Sequence, residues 1–550
     1  MIRLTEIKLP LDLPGSKQPD TAIADAVVRT LGIQADELQS VQIFKLSFDA
    51  RKAELLQVYI VDVALSSAAL EAEVLHRFAN NPHVRPTPDM AYRPVAAAPE
   101  HLTSRPVVVG FGPCGIFAAL LLAQMGFKPI VLERGKKVRE RTKDTWNLWR
   151  KNQLHPESNV QFGEGGAGTF SDGKLYSQIK DPRHLGRKVM QEFVKAGAPE
   201  EILVDAHPHI GTFKLVKVVE HLREQIIALG GEVRFEQRVT DVKIENSELQ
   251  GLTVLDLATQ QSYELATQQA VLALGHSSRD TFAMLYERGV YVEAKPFSIG
   301  FRIEHPQSLI DRARWGRHAG HPLLGAADYK LVHHAKNGRA VYSFCMCPGG
   351  TVVAATSEIG RVVTNGMSQY SRNERNANAG IVVGITPEDF PSKHPLAGIE
   401  LQRTLESAAY VLGGSTYEAP GQLVGDFVKG MASTALGSVE PSYKPGVKLV
   451  DLATALPSYA IEAIREAIPA FAKKIKGFDL PDAVLTGVET RTSSPIKMTR
   501  GDDFQSLNVR GLFPAGEGAS YAGGILSAGV DGIKVAEAVA LSLLEQAKKF

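Results

Sequence analysis

The sequence has little cysteine and almost no net charge. Among its 550 residues are three cysteines, and 61 basic residues against 60 acidic ones leave a formal net charge of +1. So few cysteines exclude a disulfide-stapled scaffold and favour a reducing compartment. The even charge balance gives no reason to expect a nucleic-acid partner or an acidic membrane surface. The first residues contain no apolar run of signal-peptide length, and we therefore expect a cytoplasmic protein.

One long stretch without charge is present, at residues 106–127. Its 22 positions would be enough for a transmembrane helix. Gly110, Gly112, Pro113 and Gly115 interrupt the stretch near its start. A buried strand, a glycine turn and a buried helix explain the same residues, so the sequence predicts no membrane-spanning segment.

Glycine is slightly enriched and unevenly distributed. The chain has 49 glycines, about 9% against a usual figure near 7%. Three windows, 110–135, 163–173 and 511–532, contain 17 of them. The enrichment therefore marks three places where the backbone approaches something closely, rather than diffuse flexibility.

The first window has the pattern of a dinucleotide-binding fingerprint. Val107–Val109 predicts a buried strand, and Gly110-Phe111-Gly112-Pro113-Cys114-Gly115 follows it and opens a predicted helix. The three glycines allow a tight turn, close approach of a pyrophosphate, and close packing of helix on strand. Glu133 ends the next predicted strand, where a carboxylate can accept ribose hydroxyls, which favours FAD or NAD over NADP. Arg134 or Arg141 could reach the pyrophosphate.

Three further segments have backbone suited to close approach to a flat ring or a phosphate. They are Gly165-Gly166-Ala167-Gly168-Thr169 with its flanks, the apolar strand Ala270–Leu274 that ends in Gly275, and Gly511–Gly518 followed by Tyr521–Ile525.

Together these segments resemble the two-domain FAD flavoproteins of the glutathione-reductase-like superfamily. The resemblance covers the early GxGxxG, a mid-chain strand ending in Ala-x-Gly, and a late Gly-x-x-x-Ala-Gly-Glu. It implies that FAD is the cofactor and that it is bound by Gly110, Gly112, Pro113, Gly115, Glu133, Arg134, Gly165, Gly166, Ala167, Gly168, Thr169, Val239, Gly275, Gly516, Glu517, Gly523, Gly524 and Ile525.

The resemblance also implies roles for some of these residues. The backbone of Val239 would touch the adenine, and Glu517 would face the ribityl chain or the pyrophosphate. Gly523 to Ile525 would open a helix pointing at the flavin, where its dipole favours negative charge on a reduced ring. Segments 162–175, 276–280, 344–350, 489–495 and 515–527 narrow the resemblance to bacterial FAD-dependent, or NAD(FAD)-utilizing, dehydrogenases. That family is named by homology rather than by a defined reaction, and the resemblance extends to residues 45–51 near the N-terminus.

We predict an α/β fold built on a Rossmann-type FAD-binding domain. An α+β substrate or cap domain is inserted into it, and a small α/β domain of ferredoxin-like type precedes it. A proline-rich linker is predicted between the small domain and the FAD-binding domain, and this stretch could equally be an extended arm packed on a neighbouring domain. The predicted boundaries are 1–80 for the small domain, 81–105 for the linker, 106–290 and 481–550 for the FAD-binding domain, and 291–480 for the cap.

Five residues are candidates for catalysis or substrate binding: Cys345, Cys347, Arg302, Glu304 and Arg491. The two cysteines lie two apart in a predicted strand and would point the same way, which strains a disulfide but lets both thiols face one ligand. Small buried side chains are the alternative for the cysteines, and structural salt bridges for the other three. No set of histidine, cysteine and acidic residues has metal-ligand spacing, so we predict no metal.

The predicted function is that of an FAD-dependent oxidoreductase that transfers a hydride between a small organic substrate and the flavin. No second strand-borne GxGxxG occurs, so NAD(P)H, if it is used, would dock in an irregular groove or bind transiently. Two alternatives remain open: a flavin-containing protein that modifies or binds RNA, and a thiol/flavin redox sensor that uses Cys345 and Cys347. We expect no nucleic-acid or membrane partner, and the sequence is silent on the oligomeric state.

Overall fold

The computed structural model describes residues 1–13, 18–50, 54–101 and 104–547. Arg51 of the N-terminal motif, residues 102–103 of the predicted linker and the last three residues lie outside these ranges. The chain divides into two units. The first is Met1–Tyr92 with Lys180–Val194 and Ala198–His209, and the second is Arg93–Ile179, Lys195–Gly197 and Ile210–Phe550.

The first unit is an antiparallel sheet with βαββαβ connectivity. Its strand order is β2-β3-β1-β4, and apolar side chains of the sheet and of the first helix form its core. This connectivity and order are those expected of a ferredoxin-like unit. The elements are β1 (Ile2–Pro10), α1 (Pro19–Leu31), β2 (Leu38–Asp49), β3 (Leu56–Leu65), α2 (Ala68–Arg77) and β4 (Val84–Pro86).

The boundary of this unit differs from the one predicted at residue 80. Strand β4 lies inside the proline-rich stretch and pairs with β1, so the stretch begins as part of the sheet. The first unit also contains most of residues 180–209. Within it, Leu46 exchanges backbone hydrogen bonds with Val204 and Ala206. The sequence analysis did not assign this segment to the first unit, because it is distant in sequence and no local pattern in it indicates that it pairs with β2.

Along the chain, the next elements run through residue 287, and all of them except α5 belong to the second unit. They are β5 (Val107–Val109), α3 (Pro113–Gln124), β6 (Ile130–Glu133), α4 (Val138–Lys151), α5 (Leu185–Lys195, which lies almost wholly in the first unit), α6 (Thr212–Ala228), β7 (Glu232–Phe235), β8 (Gln237–Glu245), β9 (Glu248–Asp256), β10 (Gln261–Ala266), β11 (Ala270–Leu272) and α7 (Arg279–Glu287).

The remaining elements are β12 (Glu293–Ala294), β13 (Phe297–Pro306), α8 (Gln307–Trp315), β14 (Val332–His334), β15 (Ala340–Ala354), β16 (Thr364–Ser368), β17 (Asn376–Ile385), α9 (Ala397–Leu412), β18 (Ala419–Leu423), α10 (Val424–Lys429), β19 (Val447–Leu449), α11 (Ser458–Ala472), β20 (Val484–Glu489), β21 (Ile496–Lys497), β22 (Leu512–Pro514) and α12 (Ile525–Ala547).

A five-stranded parallel sheet positions the candidate site. Its strand order is β22-β11-β5-β6-β7. The chain therefore adds β6 and β7 on one side of β5 and later adds β11 and β22 on the other side. The order therefore reverses between β5 and β11, and ligands of open parallel sheets bind beyond the strand ends at such a reversal. Residues 106–127 form β5 and α3, as predicted, and no helix within the described ranges is long and apolar enough to cross a membrane.

A larger, mostly antiparallel sheet follows, in the order β14-β15-β17-β13-β20-β18-β19, with β16 paired to β15. Strand β20 pairs with β13 along Gly300–Glu304. The predicted boundary at residue 480 therefore differs from the structure, because β20 belongs to the sheet of the inserted region rather than to the parallel sheet. Strands β13 and β20 are almost two hundred residues apart in sequence, so no local pattern predicts that they pair.

Candidate active site

A cavity of about 380 Å³ lies where β5 and β11 end, at the reversal of the parallel sheet. Its size is within the range of small-molecule sites, roughly 300–1,000 Å³. Most of the predicted site residues line it: Gly110, Gly112, Pro113, Glu133, Arg134, Gly166, Ala167, Gly168, Val239, Gly275, Glu517, Gly523, Gly524, Ile525, Cys345 and Arg491.

Four predicted cofactor residues lie behind the cavity wall instead: Gly115, Gly165, Thr169 and Gly516. The three glycines make packing possible. A Cβ at Gly115 would lie 2.0 Å from the Gly110 carbonyl oxygen, and one at Gly165 would lie 2.1 Å from Thr169 Oγ1. Gly516 has a φ of +70° and its Cβ would lie 2.9 Å from that of Cys114. These residues shape the wall without facing the cavity.

The turn after β5 has the construction that a phosphate site needs. Gly110 has a φ of +100°, and a Cβ there would lie 2.4 Å from the carbonyl oxygen of Ala273, which directly follows the neighbouring strand β11. Helix α3 then begins at Pro113 after Gly112, so a proline occupies the first helical turn, where its missing N–H costs nothing. The remaining free N–H groups and the helix dipole favour an anion at this end.

Glu133 is engaged differently from the prediction. Its carboxylate accepts hydrogen bonds from the backbone N–H groups of Phe111 at 2.9 Å, Gly135 at 2.8 Å and Gly163 at 2.9 Å. A carboxylate has about four lone-pair sites, so one remains for a ligand hydroxyl. Glu133 therefore ties three loops of the wall together and keeps one acceptor site toward the cavity, while its predicted contact with ribose hydroxyls stays a prediction.

Neither of the two arginines proposed for the pyrophosphate is free to move there. Arg134 lines the cavity, but it forms ion pairs with Glu157 and with Asp280, and it stacks 4.1 Å above the ring of Phe162. Arg141 is fully buried and donates to backbone carbonyls between residues 159 and 164. The hypothesis that Arg141 reaches the pyrophosphate is therefore wrong.

Three glycines of the wall face open space. At Gly275, Gly523 and Gly524 a Cβ would meet no atom within 4 Å, and none of the three has a positive φ. Neither the backbone conformation nor the packing of the protein thus requires glycine at these positions. All three line the cavity, so a side chain at any of them would take up space that a ligand could fill.

Two titratable side chains of the wall have strongly displaced pKa values. Burial raises the pKa of Glu517 to about 7, against the opposing charge of Lys295. Burial lowers the pKa of His276 to about 3, and the charges of Arg491 and Arg279 add to this effect. At neutral pH the imidazole is therefore uncharged, while the Glu517 carboxyl exists in both protonation states.

Arg491 belongs to a buried charge cluster. Glu406, on α9, accepts hydrogen bonds from Arg491 and from Arg279, and is itself fully buried. Arg491 also donates to the hydroxyls of Ser277 and Ser357 at 2.9 and 2.8 Å. The ion pair with Glu406 fits the structural role considered from sequence, and the two serine hydroxyls hold the same guanidinium at the wall.

The strand candidates Arg302 and Glu304 do not face the cavity. Arg302 is fully buried and pairs with Glu489 at 3.1 and 2.7 Å. Glu304 accepts from Ser442 and from Asn376, and burial raises the pKa of its carboxyl. Both therefore act as internal supports of the described structure, and neither lines the cavity.

The structure brings the two cysteines close together but places only one of them on the cavity wall. Cys345 lines the cavity with a φ of +44°, whereas Cys347 is fully buried. A bulge separates them, since Phe344 pairs with Gly380 and Cys347 with Asn378, which leaves two residues opposite one. The prediction assumed a regular strand, in which positions i and i+2 point the same way.

The sequence analysis did not name several of the wall residues as candidates, among them Lys174 and Glu489. Lys174 directly follows the second glycine window and is the first basic residue after Lys151, which is a signal that could have been used. Glu489 ends β20 and lies opposite Gly300 of β13, so only the register of the sheet brings it to the wall.

Comparison with known proteins identifies the family. A family model described as FAD-dependent protein, C-terminal domain-like matches residues 296–492, and a domain of unknown function (DUF8436) matches residues 1–64. An uncharacterised protein of Clostridium beijerinckii is 46% identical over 539 residues, which cover 98% of each chain.

Solved flavoproteins are more distant. The glycerol-3-phosphate dehydrogenase of Bacillus halodurans complexed with FAD is 11% identical with a TM-score of 0.34, over 81% of this chain and 65% of that one, less than two thirds of its length. A flavoprotein/dehydrogenase of Cytophaga hutchinsonii is 13% identical with a TM-score of 0.34, over 80% and 79%. Likeness at this level does not establish a shared activity. On the family model and the clostridial relative, the chain belongs to a family of FAD-dependent flavoproteins.

Proposed function

We propose that the protein is an FAD-dependent oxidoreductase, a dehydrogenase that moves a hydride between a small organic substrate and FAD. One observation carries the proposal. Gly275, Gly523 and Gly524 face open space in the same cavity, although neither backbone strain nor packing requires glycine there. The chain keeps room for a ligand at the strand ends, where dinucleotides bind in sheets of this topology.

The wall residues fit FAD. The turn from Gly110 to Pro113, with the N-terminus of α3, would hold the pyrophosphate. The remaining acceptor site of Glu133 would take one ribose hydroxyl, and Val239 would border the adenine. When bound, FAD supplies hydride transfer at its flavin ring, and the protein supplies orientation and electric field.

The remaining wall groups suit the binding of substrate and the handling of a proton. Lys174 donates to the carbonyl oxygen of Met346, and since an ammonium group has three donors it can also bind a substrate oxygen. The Glu517 carboxyl, with a pKa of about 7, can give or take a proton at neutral pH. Because α12 begins at Ile525 beside the open glycines, its N-terminal dipole favours negative charge in the cavity.

We propose a small molecule as the substrate and NAD(P)H as a transient reductant. The parallel sheet has one reversal point, and the GxGxxG turn lies there. The sequence contains no second strand followed by a GxGxxG turn that could bind another nucleotide in the same way. A nicotinamide would therefore enter and leave the cavity rather than remain bound.

The test begins with the spectrum of the purified full-length protein. We expect a yellow preparation that releases FAD on denaturation, and we expect anaerobic NADH, NADPH or an organic donor to bleach it. A colourless protein that FAD does not reconstitute would overturn the cofactor assignment. A yellow protein that no hydride donor bleaches would overturn the reaction while leaving FAD in place.

A further inference from the structure

One cationic side chain of the cavity wall has no acidic partner. The lysine and arginine residues that line the cavity are Arg134, Lys174, Arg238 and Arg491. Each of the three arginines forms an ion pair with a carboxylate, at 2.6 to 3.0 Å. Lys174 forms no ion pair with an acidic residue in the part of the chain that the structure describes, and its ammonium group donates instead to the backbone carbonyl oxygen of Met346.

The ammonium group of Lys174 needs a counter-charge once the cavity is filled. Lys174 is half-buried, and a ligand in the cavity would displace the water that solvates its charge, which costs free energy unless an anion replaces that water. Asp172 lies two residues before it, but two hydrogen bonds join the Asp172 carboxylate to Arg372. Met346 takes one of the three ammonium donors, so two remain for a ligand.

The position of Lys174 is fixed at both ends of its side chain. In the backbone beside it, Gly173 has a φ of +69° and donates its N–H to the hydroxyl of Ser171 at 3.0 Å, while its carbonyl oxygen accepts from Ile210 at 3.1 Å. At the other end, the hydrogen bond to Met346 joins the ammonium group to β15. A cation that is already ordered loses little side-chain entropy when it binds a ligand.

A second unused donor lies on the same side of the cavity. Asn365, which lines the cavity, accepts a hydrogen bond from the N–H of Gly366 through its Oδ1 at 2.9 Å. Among the described residues its NH₂ group has no hydrogen-bond partner. A Cβ at Gly366 would lie 3.0 Å from the Sγ of Cys347, which directly follows Met346, so Asn365 and Lys174 approach the wall at neighbouring places.

The surrounding wall limits the charge and the form of the ligand. One unpaired cation balances one negative charge, and Glu517, whose carboxyl has a pKa of about 7 in the same cavity, disfavours a second one. A phosphate group carries a charge of about −1.5 to −2 at neutral pH, and a carboxylate therefore matches this wall better. Phe344 and Val363 also line the cavity and offer apolar surface to the rest of the ligand.

We propose that the substrate is an organic acid and that Lys174 binds its carboxylate group. The ammonium group donates to the carboxylate, and the NH₂ group of Asn365 donates to the same group. The apolar body of the acid then lies against Phe344 and Val363. Lys174 is in this way a binding residue that selects the substrate by its single negative charge. The inference rests on the proposed function, because it names the substrate class for the same cavity.

Pairs of fluorinated ligands that differ in charge but hardly in shape are the probes. Trifluoroacetate is compared with trifluoroacetamide, and para-fluorobenzoate with para-fluorobenzamide, by fluorine NMR titration of the full-length protein at neutral pH, where both acids are ionised. We expect at least one carboxylate to bind about tenfold or more tightly than its amide, because a hydrogen bond to a charged group is stronger than one to a neutral group. If neither carboxylate reaches that preference, the inference is wrong.

Matched variants separate the charge of Lys174 from its packing. Lys174→Met removes the ammonium group and keeps an apolar stem, so it should weaken carboxylate binding by about tenfold or more and leave amide binding within about twofold. Lys174→Arg retains the charge and should keep the preference for the carboxylate. Lys243→Met, an exposed change on β8, should alter neither affinity and controls for binding to surface lysines. Equal losses of carboxylate and amide binding in Lys174→Met would indicate a structural role alone and overturn the inference.

Titrations with and without FAD keep this test independent of the test of function. A protein that binds FAD and accepts hydride, but does not prefer the carboxylates, rejects the carboxylate site alone. A colourless protein whose carboxylate binding depends on Lys174 rejects the cofactor alone. Carboxylates that bind only when FAD has been removed would mean that Lys174 holds a group of the cofactor, which also overturns the inference.

Discussion

Arg491 reaches from the cavity wall to Glu406 through two hydrogen bonds, of 3.1 and 3.0 Å. The same carboxylate accepts from Arg279 at 2.7 and 3.0 Å, so one buried acid is shared by two guanidinium groups, of which Arg279 also pairs with Glu358. Burial by itself would raise the pKa of Glu406, but the two positive charges hold it well below its usual range. The position of Arg491 on the wall therefore depends on an acid that contributes nothing to the cavity surface.

Glu406→Gln tests this dependence. Removing the charge leaves the buried Arg491 guanidinium without its ion-pair partner and leaves Arg279 with Glu358 alone, and breaking a buried pair from one side costs about 3–5 kcal/mol. We expect urea unfolding to show a loss of that size. Glu440→Gln is the control, since Glu440 pairs with Arg375 at an exposed position and such pairs contribute about 1 kcal/mol or less. Equal losses in the two variants would contradict the role of Glu406.

Gly524→Ala tests whether the open glycines reserve space for the cofactor. The added Cβ meets no protein atom within 4 Å, so the fold should be unchanged or stabilised by about 0.4–1 kcal/mol. FAD occupancy should nevertheless fall by about tenfold, measured as the ratio of flavin to protein after dialysis. Gly384→Ala is the matched control: it too lacks a positive φ, its Cβ would lie 4.0 Å from its nearest neighbours, and it lies away from the cavity. Full occupancy in Gly524→Ala would argue against a ligand at these glycines.

The parts of the site that sequence predicted are those specified locally. The strand, the turn from Gly110 to Gly115 and the helix that follows lie within twenty residues, and each glycine has a steric reason that can be stated without a structure. Gly523 and Gly524, which directly precede α12, are also adjacent in sequence to the element that they precede, so the local sequence could place them.

The parts that sequence could not predict depend on long-range pairing. Glu133 was placed correctly at the end of β6, but one of its three donors, Gly163, comes from a loop 30 residues away. Cys345 and Cys347 were expected on one face because an ideal strand has a period of two. The bulge that separates them is fixed by Arg302 and Lys174, which are more than forty residues distant in sequence.

His305 should make the second unit sensitive to acid. Burial lowers its pKa to about 4, although its Nε2 lies 2.7 Å from the carbonyl oxygen of Phe478. Since the unfolded chain has a pKa near 6.5, it takes up the proton first, and stability falls as the pH drops from about 6.5 to 4. The difference of about 2.5 units corresponds to roughly 3 kcal/mol.

The measurement compares urea unfolding of the wild type and His305→Gln across this pH range. The difference in unfolding free energy should shift against the wild type by roughly 3 kcal/mol between pH 7 and 4, and then remain constant. His76→Gln, at an exposed position in the first unit, should give a nearly flat difference. A flat difference for His305→Gln as well would mean that the imidazole is protonated in the folded protein.

Glu133→Gln tests whether the wall is held together by one carboxylate. A glutamine amide accepts hydrogen bonds at one end only, and it retains most of them when its oxygen faces Gly135 and Gly163 and its NH₂ group faces Phe111. The Phe111 N–H then loses its partner in a buried place, at a cost of about 1–3 kcal/mol. Hydrogen exchange should therefore quicken in peptides that cover residues 107–117, stay unchanged around residue 163, and accompany a weaker affinity for FAD. Glu245→Gln, an exposed change on β8, should alter none of these. If the peptides over residues 107–117 and around residue 163 lose protection together, the expectation of separable contacts is wrong, and the Glu133 carboxylate holds its three loops as one unit.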